Sequence, residues 1–479
     1  MENRLYINGK WREAAGSRQF PVTNPATGEF ITAVADASAA DAREAVEAAW
    51  QAFETWSKET ARKRSELLYK WYRLIVEHAG ELASLMTTEQ GKPVNEAKGE
   101  VLYGADFVLW YAEEAKRIYG DLIPASAQTK RLQVLQQPVG PVLAITPWNF
   151  PAAMITRKIA PALAAGCTVV IKPSEETPLT AIRLVELAEQ AGFPPGVINL
   201  LTVQNPREVS EVLLTSPLIR KITFTGSTEV GKFLMRQAAN GVKRVSLELG
   251  GHAPFIVFAD ADIEKAVDGA IASKFRNAGQ TCVCANRIYV EETILAAFTE
   301  KFRAKVEQLK VGQGHQEDVE IGPLINQEAV EKVERHVRDA LEKGAQLVCG
   351  GQRLTGAGYE NGQFFQPTIL AGVTNDMLIS QEETFGPVAP IYAFRTEEEV
   401  LDLANHPNYG LAAYVYTSNL GRTIRMTENL EFGIVGVNDP LPAVAQAPFG
   451  GYKESGLGRE GGKYGLEEFL ETKFVSIQF

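Results

Sequence analysis

The sequence contains few cysteines and few histidines for its length. Four cysteines in 479 residues form no disulfide framework, which indicates a reducing compartment. The five histidines are scattered without the spacing of metal ligands, so we predict no metal site. These two scarcities argue against a disulfide-stabilised protein and against a metalloenzyme.

An excess of positive charge and long apolar runs are also absent. The chain has 48 basic and 59 acidic residues, a formal charge of −11, which argues against nucleic acid or an anionic membrane surface as a partner. No apolar run reaches the roughly 18 residues of a membrane span, and the start Met-Glu-Asn-Arg lacks a basic region followed by an apolar one. We therefore expect a cytoplasmic protein that acts on a small molecule.

The sequence does contain enough apolar residues for more than one core. Hydrophobic residues make up 45% of the chain and charged residues 22%, as in soluble globular proteins. At 479 residues the chain should divide into two or three domains, with room for a buried site.

Strand and helix patterns alternate through the middle of the chain. Between 141 and 249, apolar strands such as 168–172 alternate with helices such as 178–191. This alternation predicts a parallel sheet with right-handed crossovers and ligands at the carboxyl ends of its strands. A second α/β pattern, from 254 to about 437, predicts another domain with its own sheet.

The two ends of the chain show other patterns. Residues 5–35 are typical of hairpin-like strands. The capping signal Ser38-x-x-Asp41 predicts the start of the first long helix. Two strand-like pieces, 132–136 and 473–479, belong to neither predicted core.

Cys282 is the candidate nucleophile. It follows an apolar-periodic run in a polar, glycine-containing segment, so it should be presented from a turn. Glu248 lies at the end of the apolar strand 245–249, and Gly250 and Gly251 after it allow backbone or a flat ligand to approach closely. Covalent acyl chemistry needs such a pair, a thiol to attack and a carboxylate to activate water.

Each candidate also has a plainer interpretation from the residues alone. Cys282 can be a small buried residue, and Asn149 can be a turn former. The segment 224–231 exposes backbone N–H groups at a helix N-terminus, as an anion site does, but it also fits an ordinary turn. The loop 172–175 can be merely solvated. A cysteine hydrolase or acyltransferase would use His252 as the base and no dinucleotide.

Four motifs, in this order, resemble those of the aldehyde dehydrogenase superfamily. They are Pro-Trp-Asn-Phe-Pro at 147–151, Glu-Leu-Gly-Gly at 248–251, Gly-Gln-x-Cys at 279–282 and Glu-Thr-Phe-Gly-Pro at 383–387. The similarity runs from Tyr6 to the last predicted strand. The stretch Gly-Gln-Thr-Cys-Val-Cys-Ala-Asn is most similar to the succinate-semialdehyde dehydrogenases of that family.

The resemblance implies an α/β fold with three parts. A Rossmann-like parallel-sheet domain for the dinucleotide is expected at 1–120 and 140–248, and an α/β catalytic domain at 249–440. The segments 121–139 and 441–479 are expected to form a small β oligomerisation domain. The family pattern therefore implies a homodimer or a homotetramer.

The resemblance also implies a mechanism. The Cys282 thiolate attacks the aldehyde, and Asn149 with the Cys282 N–H stabilises the oxyanion. Hydride leaves to the nicotinamide, which produces a thioester, and Glu248 activates the water that hydrolyses it. Because the nucleophile should have thiolate character, it should also be the thiol most exposed to oxidation.

The family pattern assigns a set of cofactor-binding residues. Glu175 should accept from the adenosine ribose and repel a 2′-phosphate, so we predict NAD over NADP. NADP use stays open, because Lys172 and Ser174 can hold a phosphate. The whole set is Thr146, Pro147, Trp148, Lys172, Ser174, Glu175, Gly226, Ser227, Leu249, Glu383 and Phe385.

The predicted substrate is an aldehyde with a distal carboxylate, with succinate semialdehyde as the first choice. Arg157 and Arg276 match the positions at which succinate-semialdehyde dehydrogenases bind that carboxylate, and Phe449 belongs to the same expected subsite. Ala443 replaces the serine of that pattern. Another aldehyde, such as a longer semialdehyde or an aliphatic or aromatic one, therefore stays open.

Cys284 is a candidate for redox regulation. Some relatives use such a Cys-Val-Cys pair as a switch, which implies a reversible disulfide between Cys282 and Cys284. Such a bridge across one residue should be strained and easily reduced. The alternative is that Cys284 is a small residue packed beneath the loop.

Overall fold

The computed structural model describes residues 2–479, in which the strands form five sheets. The strands in chain order are β1 (Leu5–Ile7), β2 (Lys10–Arg12), β3 (Gln19–Thr23), β4 (Phe30–Ala35), β5 (Asp121–Ile123), β6 (Lys130–Pro138), β7 (Val142–Ile145), β8 (Val169–Lys172), β9 (Ile198–Leu200), β10 (Lys221–Thr225), β11 (Arg244–Glu248), β12 (Ala253–Val257), β13 (Ala285–Glu291), β14 (Gln346–Cys349), β15 (Thr368–Ala371), β16 (Val388–Phe394), β17 (Tyr409–Gly410), β18 (Ala412–Tyr416), β19 (Ile434–Val437), β20 (Tyr452–Lys453), β21 (Gly456–Leu457) and β22 (Leu470–Gln478).

The helices surround these sheets, and several begin with a side-chain cap. At the first of them, Ser38 Oγ accepts from the Asp41 N–H at 3.4 Å and Asp41 Oδ2 accepts from the Ser38 N–H at 2.8 Å, so the predicted capping box is present. The α-helices are α1 (Ala39–Trp56), α2 (Ala61–Glu77), α3 (Ala79–Gln90), α4 (Val94–Glu114), α5 (Ala153–Ala165), α6 (Pro178–Ala191), α7 (Arg207–Thr215), α8 (Thr228–Ala239), α9 (Ile263–Phe275), α10 (Leu295–Val306), α11 (Gln327–Glu342), α12 (Leu378–Gln381), α13 (Glu397–Asn405), α14 (Leu420–Asn429) and α15 (Gly462–Glu467). Among residues 2–479, none of them is long and apolar enough to span a membrane.

The largest sheet has the order β2-β1-β9-β8-β7-β10-β11-β21. Its five central strands, β9 to β11 in that order, are parallel, as predicted, and β1 and β21 join them antiparallel. The chain proceeds outward from β7 through β8 to β9 and then returns to place β10 on the other side of β7. Ligands of open α/β sheets bind at such a reversal, next to the carboxyl ends of the two strands.

Both faces of this sheet are covered by helices. Val142 and Ala144 of β7 pack into the core formed with α2, α4, α5 and α6. Leu143, between them, packs on the opposite side with α1, α7 and α8. Because neither face meets water, strands such as β7 (Val142–Ile145) are continuously apolar.

The second sheet has the order β14-β15-β16-β13-β12-β18-β19. Only β14 runs antiparallel to its neighbour. Its core is formed with α9, α10 and α11. The second α/β pattern of the sequence is therefore confirmed.

The small third sheet consists of β22, β6 and β5. The strands β22 and β6 pair along their whole length, from Leu470 opposite Pro138 to Gln478 opposite Lys130. The C-terminal stretch 441–479 contributes to more than this sheet, because β21 lies at the edge of the largest sheet. The domain boundaries given above stay a prediction.

Candidate active site

The Cys282 side chain lies between two cavities. It contributes to the wall of a cavity of about 360 Å³ lined also by α4 and α5. It also contributes to a second cavity of about 470 Å³, at the carboxyl ends of β7 and β10. A group bound in either cavity therefore reaches the same thiol, so one cavity can hold a substrate and the other a cofactor.

The loop that carries Cys282 has an unusual backbone. After α9, Asn277 and Ala278 have φ values of 51° and 55°, in the left-handed region. Asn tolerates this conformation, whereas it strains an alanine. Gly251 passes so close to this loop that a Cβ on it would lie 2.2 Å from the Cys282 carbonyl oxygen. The glycine of the motif at 248–251 is thus needed for close approach of β11 to the nucleophile.

Glu248 ends β11 and is buried, with 3% of its surface exposed. Neither carboxylate oxygen has a hydrogen-bond partner among residues 2–479. Burial raises the pKa of Glu248 above its usual value, and Arg157 opposes that shift. A buried carboxylate without partners is costly unless it acts on a ligand or on water, so Glu248 suits a general base.

Burial and the nearby Glu248 carboxylate raise the pKa of the Cys282 thiol well above its ordinary value. Both effects oppose the resting thiolate expected from the sequence, because a low dielectric and a neighbouring negative charge favour the neutral thiol. A base next to the thiol is therefore useful for its attack. Glu248 is the neighbouring base that can accept the proton of the thiol.

His252 does not form a dyad with Cys282. It is fully buried, its Nε2 lies 3.0 Å from the Ser380 carbonyl oxygen, and burial lowers its pKa well below the usual value. It is not among the described residues that line either cavity. The hydrolase interpretation, which needs His252 as the base, therefore lacks its base.

Asn149 follows β7 and is held from several directions. Its Nδ2 donates to the Gln280 carbonyl oxygen at 3.0 Å. Its own carbonyl oxygen accepts from Lys92 Nζ at 2.6 Å and from Asn277 Nδ2 at 3.0 Å. One amide hydrogen of Asn149 therefore ties it to the nucleophile loop, and the second remains for an oxyanion.

The cavity at the sheet reversal contains most of the predicted cofactor-binding residues. Ser227 caps α8 by accepting from the Val230 N–H at 3.3 Å, and the rings of Trp148 and Phe385 pack edge to face at 5.5 Å. The predicted residues in its wall are Pro147, Trp148, Gly226, Ser227, Leu249, Glu383 and Phe385. The helix N-terminus provides N–H groups for a phosphate, and the aromatic pair provides an apolar wall.

The remaining four predicted residues lie outside this wall, along the same edge of the sheet. Lys172 ends β8, beside β7, and its Nζ is 3.6 Å from the exposed Glu175 carboxylate. Burial lowers the pKa of Lys172. Ser174 accepts from the Glu176 N–H at 3.3 Å, and Thr146 follows β7 with a buried hydroxyl.

Glu383 also lines the cavity at the sheet reversal. It accepts from the Gly251 N–H at 3.1 Å, so it is fixed to the loop that follows Glu248. Burial raises the pKa of Glu383 to about 7. A carboxylate in this position can accept from a sugar hydroxyl when it is ionised.

The four predicted substrate residues all line the first cavity, but its two arginines differ. Arg157 is buried, and its Nε donates to Glu460 Oε2 at 2.7 Å, with a further bond from its Nη2. Its guanidinium also lies over the Phe449 ring, 4.1 Å from the centroid. Arg276 has no hydrogen bond or ion pair within the part of the chain that the structure describes, and it lies 5.3 Å from the Phe150 centroid. Arg276 is therefore the cation available to an anionic ligand.

The comparison with known proteins gives the family. A model of the aldehyde dehydrogenase family matches residues 11–475. The chain belongs to the aldehyde dehydrogenase family. It is an NAD(P)-dependent oxidoreductase that acts on a small aldehyde, and the resemblance of its four motifs is confirmed.

Individual relatives match nearly the whole dehydrogenase. A 3-sulfolactaldehyde dehydrogenase of Pseudomonas putida is 53% identical, covering 100% of this chain and 97% of its own. An NADP(+) succinate-semialdehyde dehydrogenase of Escherichia coli is 54% identical, covering 98% and 97%. The crystal structure of a Staphylococcus aureus betaine aldehyde dehydrogenase with NAD+ has a TM-score of 0.97 at 40% identity, covering 99% and 94%. The predicted fold class is confirmed.

Several residues of the aldehyde dehydrogenase site were not predicted from the sequence. Lys92 and Glu100 form a buried ion pair at 2.5 Å, and Glu100 also accepts from the Ala152 N–H at 2.9 Å at the start of α5. This pair fixes the loop of Asn149. No motif marks these residues, because their role depends on contacts between distant parts of the chain.

Cys284 is fully buried in this dehydrogenase and lines neither cavity among the described residues. Its Sγ donates to the Lys274 carbonyl oxygen at 3.4 Å. Burial raises the pKa of the Cys284 thiol, which slows its reaction with an oxidised partner. The reversible disulfide with Cys282 stays a prediction.

Proposed function

We propose that this dehydrogenase oxidises succinate semialdehyde to succinate, with NAD as the preferred cofactor. The observation that carries the proposal is Arg276, whose guanidinium has no hydrogen bond or ion pair among residues 2–479 and which lines the cavity that ends at the Cys282 thiol. A distal carboxylate would give this cation a partner while the aldehyde carbon meets the thiol. Two of the three relatives reported above are named for aldehydes with a sulfonate or a carboxylate, which agrees with an anion-binding cavity.

The proposed reaction has two parts, attack of the thiol on the aldehyde and hydrolysis of the thioester. Glu248 accepts the proton of the Cys282 thiol, the sulfur attacks the aldehyde carbon, and the oxygen of the resulting thiohemiacetal takes a hydrogen bond from Asn149 Nδ2. When the thiohemiacetal has become a thioester, Glu248 first releases the proton of the thiol to solvent. Ionised again, it accepts a proton from water as the water attacks the carbonyl carbon. The sulfur then leaves as a thiolate, and the carboxylic acid departs.

The second cavity fits a dinucleotide. It offers the N–H groups at the start of α8, the carboxylate of Glu383 and the packed rings of Trp148 and Phe385. When bound there, a nicotinamide supplies the acceptor for the hydride of the thiohemiacetal. Glu383 would bind a ribose hydroxyl, and Gly226 allows a phosphate close approach.

The substrate proposal is tested by the rates for aldehydes that differ only at the distal end. We expect kcat/KM for succinate semialdehyde to exceed that for butanal by about 100-fold, because hydrogen bonds between charged groups contribute about 1.5–3 kcal/mol each. Reduced cofactor would be followed by its absorbance, which a hydrolase would not produce. An equal or higher value for butanal would contradict the proposal.

A longer semialdehyde is the second candidate. Ala443 lines the substrate cavity and has a methyl group where the resembling pattern has a hydroxymethyl. The smaller side chain leaves room and removes one hydrogen-bond donor from that wall. Glutarate semialdehyde therefore belongs in the same panel, and a higher kcat/KM for it than for succinate semialdehyde would favour this candidate.

The preference for NAD depends on Glu175. Its exposed carboxylate, next to Lys172 at the end of β8, would repel a 2′-phosphate, an interaction of about 4 kcal/mol at about 4 Å near a surface before screening by salt. We expect kcat/KM to be at least about tenfold higher with NAD, and we expect Glu175→Gln to reduce that ratio.

Glu176→Gln is the matched control for the cofactor preference. Glu176 accepts from Asn326 Nδ2 at 2.8 Å, so its carboxylate is already engaged. This variant should keep the ratio of the parent. A higher kcat/KM with NADP in the parent would overturn the preference, since some relatives use NADP(+).

A homodimer or homotetramer is also part of the proposal. The small sheet exposes large apolar side chains, with Leu122 82% and Phe474 61% exposed. An exposed sheet with apolar side chains is typical of a surface that another subunit covers. The cytoplasmic location stays a prediction.

A further inference from the structure

Tyr103 has a buried hydroxyl that the mechanism above does not use. It lies on α4 and contributes to the wall of the substrate cavity, together with Cys282 and both arginines. Its ring packs edge to face on Phe107, with centroids 5.0 Å apart and planes at 80°. Its hydroxyl is shielded from solvent and has no hydrogen-bond partner among residues 2–479. An unpaired buried hydroxyl is costly, which points to a ligand as its partner.

The position of Tyr103 is fixed relative to the predicted anion site. Its neighbour Gly104 lets α4 approach α5 closely, since a Cβ there would lie 3.0 Å from Thr156 Oγ1 and 3.2 Å from Ala153 Cα. Arg157 lies on that same stretch of α5. Burial raises the pKa of Tyr103, while Arg157 and Arg276 act in the opposite direction. The hydroxyl thus keeps its proton and lies within the field of both cations.

Few donors in this cavity remain for the distal anion. Apart from Tyr103, the wall has one buried hydroxyl without a partner among residues 2–479, that of Thr281, which directly precedes the nucleophile. A carboxylate has about four acceptor positions. Arg157 gives its Nε and Nη2 to Glu460, and Ala443 has no hydroxyl to offer. Arg276 alone leaves part of a bound carboxylate unpaired, and an unpaired buried anion is costly.

We propose that the Tyr103 hydroxyl donates a hydrogen bond to the distal anion of the substrate, in place of the side-chain hydroxyl that Ala443 lacks. This assignment rests on the proposed function, because it concerns the same cavity and the same anionic aldehyde. It makes Tyr103 a residue that selects for the anion.

The test compares Tyr103→Phe with the parent on succinate semialdehyde and on butanal. The variant keeps the ring and loses only the hydroxyl, so kcat/KM for succinate semialdehyde should fall about tenfold or more. The value for butanal should stay within about twofold, since butanal has no distal anion. Equal losses on both aldehydes, or no loss on either, would overturn the assignment.

Tyr111→Phe is the matched control. Tyr111 lies further along α4, is fully buried and is not among the described residues that line the cavity. This variant should keep the ratio between the two aldehydes. If Tyr111→Phe lowered the ratio of kcat/KM for succinate semialdehyde to that for butanal as much as Tyr103→Phe does, the effect would come from disturbance of α4, and the proposal would be overturned.

A rescue variant tests whether the Tyr103 hydroxyl takes the place of the hydroxyl that Ala443 lacks. Adding Ala443→Ser to Tyr103→Phe supplies a hydroxyl from another position in the same cavity wall and should recover most of the lost selectivity. No recovery would overturn the idea that the two hydroxyls replace each other. The parent enzyme tests the proposed function separately. If its kcat/KM for succinate semialdehyde does not exceed that for butanal, the proposed function is contradicted, whatever the variants show.

Discussion

Replacing Cys282 by alanine should abolish turnover, with kcat falling by at least about 10⁴-fold, as removal of a covalent nucleophile does in other enzymes. Replacing Glu248 by glutamine should have a different result. The first oxidation should proceed and release about one equivalent of reduced cofactor per site, and then turnover should stall at the thioester. The physical reason is that only the thiol forms the bond to the substrate, whereas water needs a base to attack the thioester.

The raised pKa values of the pair refine this expectation. Because Glu248 neighbours the Cys282 thiol and can accept its proton, its loss should slow the burst as well. The burst rate of Glu248→Gln should then rise with pH, since the thiol loses its proton to solvent. In the parent, the hydrolysis rate should rise as pH passes the raised pKa of Glu248, because the general base acts only when ionised.

Cys284→Ala is the control for loss of a buried thiol from the same loop. It lines neither cavity among the described residues and should keep turnover under reducing conditions. Stopped-flow absorbance with enzyme near the cofactor concentration measures the burst. Repeated, unimpaired turnovers by Cys282→Ala or by Glu248→Gln would contradict the roles given to these residues.

The sequence predicts this fold well because its signals are local. Strands buried on both faces, such as β7, are apolar runs, and a crossover helix such as α6 has its own start and stop signals in Pro178 and Gly192. The pairing of 132–136 with 473–479 is different. Both pieces have strand patterns, but only the structure shows that they are neighbours.

In the candidate site, too, some residues could be predicted from local motifs and others could not. Cys282, Glu248 and Asn149 lie in short motifs, so their types and order are visible in the sequence. The groups that hold Asn149, such as Lys92 and Asn277, are distant in sequence and have no motif. The electrostatics are hidden too, because burial and the Glu248 charge, not the local sequence, raise the pKa of the thiol.

The different surroundings of the two arginines could not be predicted from the sequence either. Arg157 and Arg276 look equivalent as predicted carboxylate ligands, but Glu460 bonds to Arg157 and also to the neighbouring Lys158. Glu460 is 303 residues away from Arg157 in the sequence. Two cations and one carboxylate form a buried network, in which the attraction of both cations lowers the pKa of Glu460 to about 2. Arg157 is thus part of a buried ionic network, whereas Arg276 is not.

This difference gives the prediction for the two arginines. Arg276→Met keeps an apolar chain over Phe150 and removes the charge, so kcat/KM for succinate semialdehyde should fall about 100-fold, with butanal changed less than about threefold. Arg157→Met removes one partner of a buried carboxylate, which typically costs about 3–5 kcal/mol of stability. Its thermal midpoint should therefore fall by several degrees, whereas that of Arg276→Met should stay near the parent value.

The measurements are steady-state kinetics on both aldehydes and thermal unfolding of both variants. Arg276 has no hydrogen-bond or ion-pair partner among residues 2–479, so its replacement leaves no other group unpaired. The variant should therefore change the substrate preference and not the stability. A loss on butanal as large as that on succinate semialdehyde would mean that Arg276 shapes the loop before Cys282 and binds no carboxylate. If Arg157→Met instead kept the parent's thermal midpoint, the Glu460 network would not contribute to stability, and both arginines would be left as equal ligands of the anion.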